Sequence, residues 1–145
     1  MRTLFALVAL SLSIPAWSAD AAHEQLLRAK SLKCTFGPGT VADWRKGKPK
    51  LESDNFGKPI NYDAIDIKNG RARVIGPSGA SDLTVTAGAY GLTLTESFIG
   101  GVSVTTVFSD FKKGTREFVA VMSRHVGVMG PPIPSQYHGT CTVLQ

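Results

Sequence analysis

With 145 residues, 16 of them basic and 11 acidic, the chain has room for one compact domain. Its net charge of +5 is too small a surplus to indicate a nucleic-acid partner. Two cysteines that form no C-x-x-C pair argue against a thiol oxidoreductase.

The N-terminus has the layout of a secretory signal: Arg2 gives a positive start, Leu4 to Leu12 with Ile14 form an apolar core, and Pro15 precedes small residues. Cleavage after Ser18 places Ala16 and Ser18 at the two small-residue positions, and cleavage after Ala21 uses Ala19 and Ala21. A membrane anchor needs roughly 20 apolar residues, and Pro15 interrupts this run well short of that. No cysteine stands immediately after either cleavage site, the nearest being Cys34, so a lipid anchor is not expected. Gly, Thr, Ser or charge breaks every later apolar run, so no membrane span is expected either. The expectation is a signal peptide over 1–18, or 1–21, and a soluble periplasmic or secreted domain over 22–145. With cleavage after Ser18, losing Arg2 leaves 15 basic residues against 11 acidic. An oxidising compartment favours the one intramolecular pairing available, Cys34 with Cys141. Free thiols or a bridge to another chain are the alternatives.

In chain order, Ala22 to Lys30 reads as a short helix with Leu26, Leu27 and Ala29 as its apolar content and His23 on its solvated side. From Leu32 onward the period is two, and β-branched residues, Gly and Pro dominate. Leu32, Cys34 and Phe36 alternate up to Gly37-Pro38-Gly39, and Val41 to Trp44 continues the sheet. Directly after Trp44, the residues Arg45, Lys46, Lys48 and Lys50 surround Gly47 and Pro49 in what reads as an exposed basic loop. Leu51 to Phe56 is weakly patterned. Ile60 to Ile67 and Ala72 to Ile75 flank Asn69-Gly70, a pair that adopts the positive φ angles of a tight hairpin. Leu83 to Ala87 and Leu92 to Phe98 each follow a glycine-containing turn and read as hairpin partners. Val102, Val104, Thr106 and Phe108 alternate, Lys112-Lys113-Gly114 turns the chain, and Phe118, Ala120 and Met122 alternate on the return. Gly130 to Pro134 is a rigid turn before the last strand, which holds Tyr137, Gly139, Cys141 and Val143.

About eight strands separated by short turns, with no helix between them, predict an all-β antiparallel meander, closed into a barrel or folded as a sandwich. The cysteines favour the barrel, because one lies in the first strand and one in the last, and a disulfide needs their Cα atoms within about 7 Å. Closure also removes exposed edges.

The cluster with the most potential chemistry is Ser123, Arg124 and His125 at one strand end, followed across the proline turn by Ser135, Gln136, Tyr137 and His138. If those strands pair, Arg124 could hold an anion in its fork, His125 could titrate near neutral pH, and Tyr137 could bond or stack. Alternatively Arg124 pairs with a carboxylate such as Glu117 or Asp110. A hydrolase can be sketched from Ser123 or Ser135, His125 or His138, and Glu96. It lacks a Gly-x-Ser-x-Gly elbow and an oxyanion hole, and Glu96 faces either outward or into a cavity. His23, His125 and His138 are too far apart in sequence for a metal motif, and no cofactor is expected. The loop at Trp44, Arg45, Lys46, Lys48 and Lys50 is a second candidate surface, with Trp44 as a stacking platform.

A small exported meander barrel with a tryptophan near its start resembles the lipocalins, which hold apolar ligands inside the barrel. The lipocalin signature places Gly two residues before the Trp, where this chain has Ala42-Asp43-Trp44. The C-terminal third resembles small exported bacterial proteins of unknown role. The residues that carry this are Thr105-Thr106, Phe118-Val119-Ala120-Val121, Ser123-Arg124-His125, Ser135-Gln136-Tyr137 and Gly139-Thr140-Cys141. The first expectation is a monomeric, non-enzymatic binding protein for an unknown small ligand. The alternative is an envelope interaction or inhibitor protein that presents the basic loop to a protein or polysaccharide. A hydrolase is the third reading.

Overall fold

The computed structural model describes residues 19–44, 46–77, 79–127 and 129–144, with side chains from Ala21 onward. The expected signal segment 1–18, and Arg45 of the basic loop, lie outside the described residues.

One helix precedes nine strands: α1 (Ala19–Arg28), β1 (Leu32–Asp43), β2 (Lys50–Asn55), β3 (Pro59–Asp66), β4 (Arg71–Gly76), β5 (Gly79–Gly88), β6 (Gly91–Phe98), β7 (Gly101–Phe111), β8 (Phe118–Val126) and β9 (Ile133–Val143). The strands pair in the order β2-β1-β3-β4-β5-β6-β7-β8-β9, and β1 also pairs with β9. That last pairing closes eight of them into an antiparallel barrel, compatible with a calycin-like architecture.

The extra strand has a simple origin. β3 lines the first part of β1, with Leu32 opposite Tyr62 and Cys34 opposite Ile60. β2 lines the far part, with Gly39 opposite Asp54. Between them the amides of Phe56 and Gly57 donate to the carbonyls of Gly37 and Phe36, each at 3.1 Å, so β2 and β3 are one interrupted strand running back along β1. Every residue of β2 is exposed, so no core-facing side selects for alternation there.

The seam between first and last strands carries the disulfide, on Cys34 and Cys141 directly opposite each other and fully buried. In the chain-entropy model, tying residues 107 apart restricts the unfolded chain by about 4–5 kcal/mol.

Ala22, Leu26 and Ala29, spaced four and three apart, put one face of α1 into the barrel core. So short a helix is marginal alone and is stabilised by that burial. It starts at Ala19 rather than Ala22 and meets β6 and β7. His23 is not on a solvated side: half-buried, its Nδ1 lies 2.7 Å from the Ser109 hydroxyl and ties the helix to β7. The following linker is held from both sides, by Ile65 N–H donating to the Lys30 carbonyl and Leu144 N–H to that of Ser31, both 3.1 Å. Ala64, at φ 48°, makes the bulge in β3 that aims the Ile65 amide outward from the ladder.

At Asn69-Gly70 the hairpin forms, but over residues 67–70 rather than as a two-residue turn. Gly70 supplies φ 66°. The Asp66 carboxylate accepts from the Asn69 side chain at 2.6 Å and its amide at 3.2 Å, and these bonds hold its pKa below the ordinary carboxylate range. β7 shows the largest departure from its pattern. Thr105 and Val107 are its buried positions, at 1% and 0% exposure, whereas Val102, Val104, Thr106 and Phe108 lie on the outer face and are half-buried.

Candidate functional site

Because the strands are antiparallel, successive turns alternate between barrel ends. The turns at 67–70, 89–90 and 112–117 share one end with α1, and the connections from β1 to β2, β4 to β5, β6 to β7 and β8 to β9 share the other. An eight-stranded barrel is wide enough either to be filled by side chains or to hold one small ligand. This barrel does the first at the helix end and leaves the other end open.

The inner face of each strand carries the evidence. In β8, Phe118, Ala120 and Met122 are buried, and the next inward residue, Arg124, is half-exposed. In β6, Leu92 and Leu94 are buried and Glu96 is half-exposed. In β7 the same step falls between Thr105 and Ser103, and in β9 between Tyr137 and Ser135. Across the sheet from β4 to β5, Ala72 and Leu83 are buried, but Val74 is half-exposed and Ser81 exposed. The change occurs at a common level around the barrel, so the inward side chains of the helix-distal part are only partly buried and line a shallow cup at that end.

The cup has a polar floor. Tyr62 on β3 and Thr105 on β7 share a buried hydrogen bond of 2.8 Å. These strands stand on opposite sides of the eight-strand ring, so the bond spans the barrel interior and no continuous channel passes that level. Burial pushes the Tyr62 hydroxyl up to about 12, against the opposing effect of the Thr105 bond, and the negative charge of Glu96 adds to the rise. Strand alternation puts Glu96 on the inward face it shares with Leu92 and Leu94.

Its wall is a registered row: Glu96 opposite Ser103, Ser103 opposite Arg124, Arg124 opposite Ser135. Glu96 and Arg124 are two strands apart, about 10 Å between backbones. Neither forms an ion pair or hydrogen bond with another described residue. The Arg124 guanidinium lies 5.9 Å from the centroid of the Phe56 ring, and Phe56 in turn packs on Phe36 and Tyr137. The Tyr137 hydroxyl donates to Asp54 Oδ2 at 2.6 Å across β1. Gly39 stands between them, opposite both partners, and a Cβ there would collide with the Tyr137 ring and the Gln136 carbonyl. Only glycine lets Tyr137 lie across β1 and reach β2. This bond, with one from the Asn55 backbone, holds Asp54 below the usual carboxylate range. Burial first, then the bond to Asp54, raises Tyr137.

Of the residues singled out by sequence, the strands bring Arg124, Ser135 and Tyr137 to the inner face. Ser123, His125 and Gln136 alternate with them and lie outside, where Gln136 Nε2 donates to Ser123 Oγ at 3.2 Å and His125 is exposed. His138 is also exposed, opposite Val121. Of the residues in the sketched hydrolase, Glu96 and Ser135 lie on the inner face, and Ser123, His125 and His138 on the outer one. Arg124 does not pair with Glu117 or Asp110: Glu117 instead accepts from Thr140 at 3.1 Å and meets Lys112 at 3.9 Å. No group of three or more His, Cys, Asp or Glu among the described residues could hold a metal. Phe56, Asp54 and Ser103 were not singled out. Ser103 shares its parity with Thr105 and Val107, the buried positions of β7, a face that the alternation of Val102, Val104, Thr106 and Phe108 concealed.

The basic loop lies at the open end. Lys46 and Lys48 are exposed and form no ion pair with another described residue, while Lys50 meets Glu52 at 2.8 Å. Trp44 borders an apolar groove of about 500 Å³ with Val41, Val126, Pro131 and Ile133.

No helix among the described residues is long and apolar enough to cross a membrane. No protein-family model matches the chain, and neither a curated protein nor a solved structure does.

Proposed function

We propose that this is an exported, non-enzymatic binding protein that holds one small ligand in the cup at the helix-distal end of its barrel. The carrying observation is the pair of opposite charges, Glu96 and Arg124, on the inner wall at the level where burial gives way to partial exposure, neither in an ion pair or hydrogen bond with another described residue. Charged side chains brought partly out of water are normally paired, so two left open mark a place for complementary groups from outside. The ligand suited to the wall carries an anion for Arg124, a donor or cation for Glu96 about 10 Å away along the wall, and an apolar body against Phe56. The two half-exposed serines, Ser103 and Ser135, add hydroxyls that both give and accept hydrogen bonds. The disulfide and the N-terminal segment support the exported compartment.

Native mass spectrometry of protein purified from an oxidising compartment tests for a retained molecule, and calorimetric titration with small carboxylates and zwitterions supplies an affinity. Arg124→Ala is expected to weaken binding at least tenfold, as loss of a charge-assisted contact does, with the fold intact by circular dichroism. Equal affinity in wild type and Arg124→Ala, or no retained or titratable ligand in the folded protein, overturns the reading.

A further inference from the structure

The turns at the two barrel ends differ in what they display. At the open end, Trp44 is 37% exposed, Ile99 99%, Met129 103% and Ile133 52%. Two of them, Ile99 and Met129, stand almost wholly exposed at turn tips, which is unusual on a protein surrounded only by water. They belong to one rim. Trp44 shares its groove with Gly130 and Pro131 of the β8–β9 loop, and Gly127 N–H of that loop donates to the Gly100 carbonyl of the Ile99 turn at 2.8 Å. Met129 holds φ 49°, a region that side-chain-bearing residues rarely adopt.

Basic side chains stand beside these apolar tips, as basic side chains also do at the helix end, where Lys68, Lys112 and Lys113 are exposed without an exposed isoleucine or methionine tip. Lys46 and Lys48 project from the β1–β2 tip without an ion pair among the described residues. They line, with Lys50, Asp43 and Glu52, a recess of about 420 Å³ beside the apolar groove. None of the residues at 44–49, 77–78, 99–100 and 127–132 is acidic. Apolar tips beside a recess in which Lys46, Lys48 and Lys50 outnumber Asp43 and Glu52 match a surface that is apolar beneath an anionic layer. A polysaccharide would engage the tryptophan and the lysines but leaves Ile99 and Met129 without a role.

We propose that the open end of the barrel docks onto an anionic lipid surface, with Trp44, Ile99 and Met129 entering the boundary between headgroups and acyl chains and Lys46 and Lys48 meeting lipid phosphates. Docking in this orientation turns the mouth of the cup toward the membrane. The proposal rests on the rim alone and stands whether or not the cup holds a ligand.

The chain beginning at Ala19 has Trp44 as its one tryptophan, which makes insertion directly readable. That chain is mixed with vesicles of phosphatidylglycerol and phosphatidylcholine, and separately with phosphatidylcholine alone, with co-sedimentation and Trp44 emission as readouts. Binding to the anionic vesicles with a blue shift of Trp44 is expected, and salt should weaken it. Lys46→Glu with Lys48→Glu should reduce the partition at least 25-fold, from about fivefold per lysine near such a surface. Ile99→Ser with Met129→Ser should reduce it at least tenfold, while Tyr90→Ser, 82% exposed at the opposite end, should leave it unchanged. Failure to bind anionic vesicles overturns the proposal, as does equal loss in Tyr90→Ser. A concentration-dependent dimer without lipid, broken by Ile99→Ser, also overturns it by identifying a second copy as the occupant.

Discussion

The two ends of this barrel are built from the same strands and treated oppositely. The helix end is packed: Leu26 of α1 and Leu32, Leu92, Val107 and Phe118 of the strands are all 0% exposed, and the disulfide ties the seam between β1 and β9. At the other end the inward residues are Glu96, Ser103, Arg124 and Ser135, half-exposed, and the turns above them show Ile99 and Met129 to solvent. The difference teaches how one fold divides its labour along its axis. Stability is concentrated where the helix plugs the sheet, which leaves polar and charged groups at the mouth free of any packing task.

Substitutions at the two ends should therefore separate sharply. Leu26→Ala removes a fully buried side chain from the plug and should cost about 2–5 kcal/mol in urea unfolding. Arg124→Ala at the mouth gives up only a cation–π contact and should cost under about 1 kcal/mol. Comparable losses for the two would contradict the division.

The floor between the ends offers a smaller effect with a defined pH window. Tyr62 is neutral in the fold and its hydroxyl is raised from 10.0 to about 12. Below pH 10 it is protonated in both folded and unfolded chains, so its contribution is fully present there. Between pH 10 and 12 the unfolded chain ionises first, and on the order of 2–3 kcal/mol of stability should be lost as pH rises through that window. Unfolding followed at pH 9 and pH 11.5 checks this, and Tyr62→Phe should flatten the alkaline loss. An equal loss in Tyr62→Phe would place its cause elsewhere.

The sealed end was the more legible in sequence, because it is made of repeating apolar positions. Phe118, Ala120 and Met122 announce their inner face by alternation, and the two cysteines imply that the outer strands of the meander meet. β7 was misleading for a physical reason: Val102, Val104, Thr106 and Phe108 alternate as well as any core face, yet they cover the outside, and the residues between them include Thr105 and Val107. A strand with β-branched residues on both faces does not reveal its inner side through period alone. The mouth was legible only in part. Arg124 and Tyr137 stood out by type, but the same strand period that brings them inside sends Ser123, His125 and Gln136 outside. Counting by twos from Leu92 and Leu94 places Glu96 inward. Asp54 and Phe56 gave no local sign, since their roles depend on the folding back of β2 along β1 and on the bare Cα of Gly39.

The most direct test of this division uses a single added thiol on one face of one strand. Ser103→Cys lies on the wall of the cup and Val107→Cys four residues along β7 in the packed interior, both with the native disulfide intact. With a small maleimide under native conditions, Ser103→Cys should react close to the rate of the unfolded chain, and Val107→Cys at least a hundredfold more slowly, limited by opening of the core. Equal protection of the two would mean that the mouth is closed and would contradict the account.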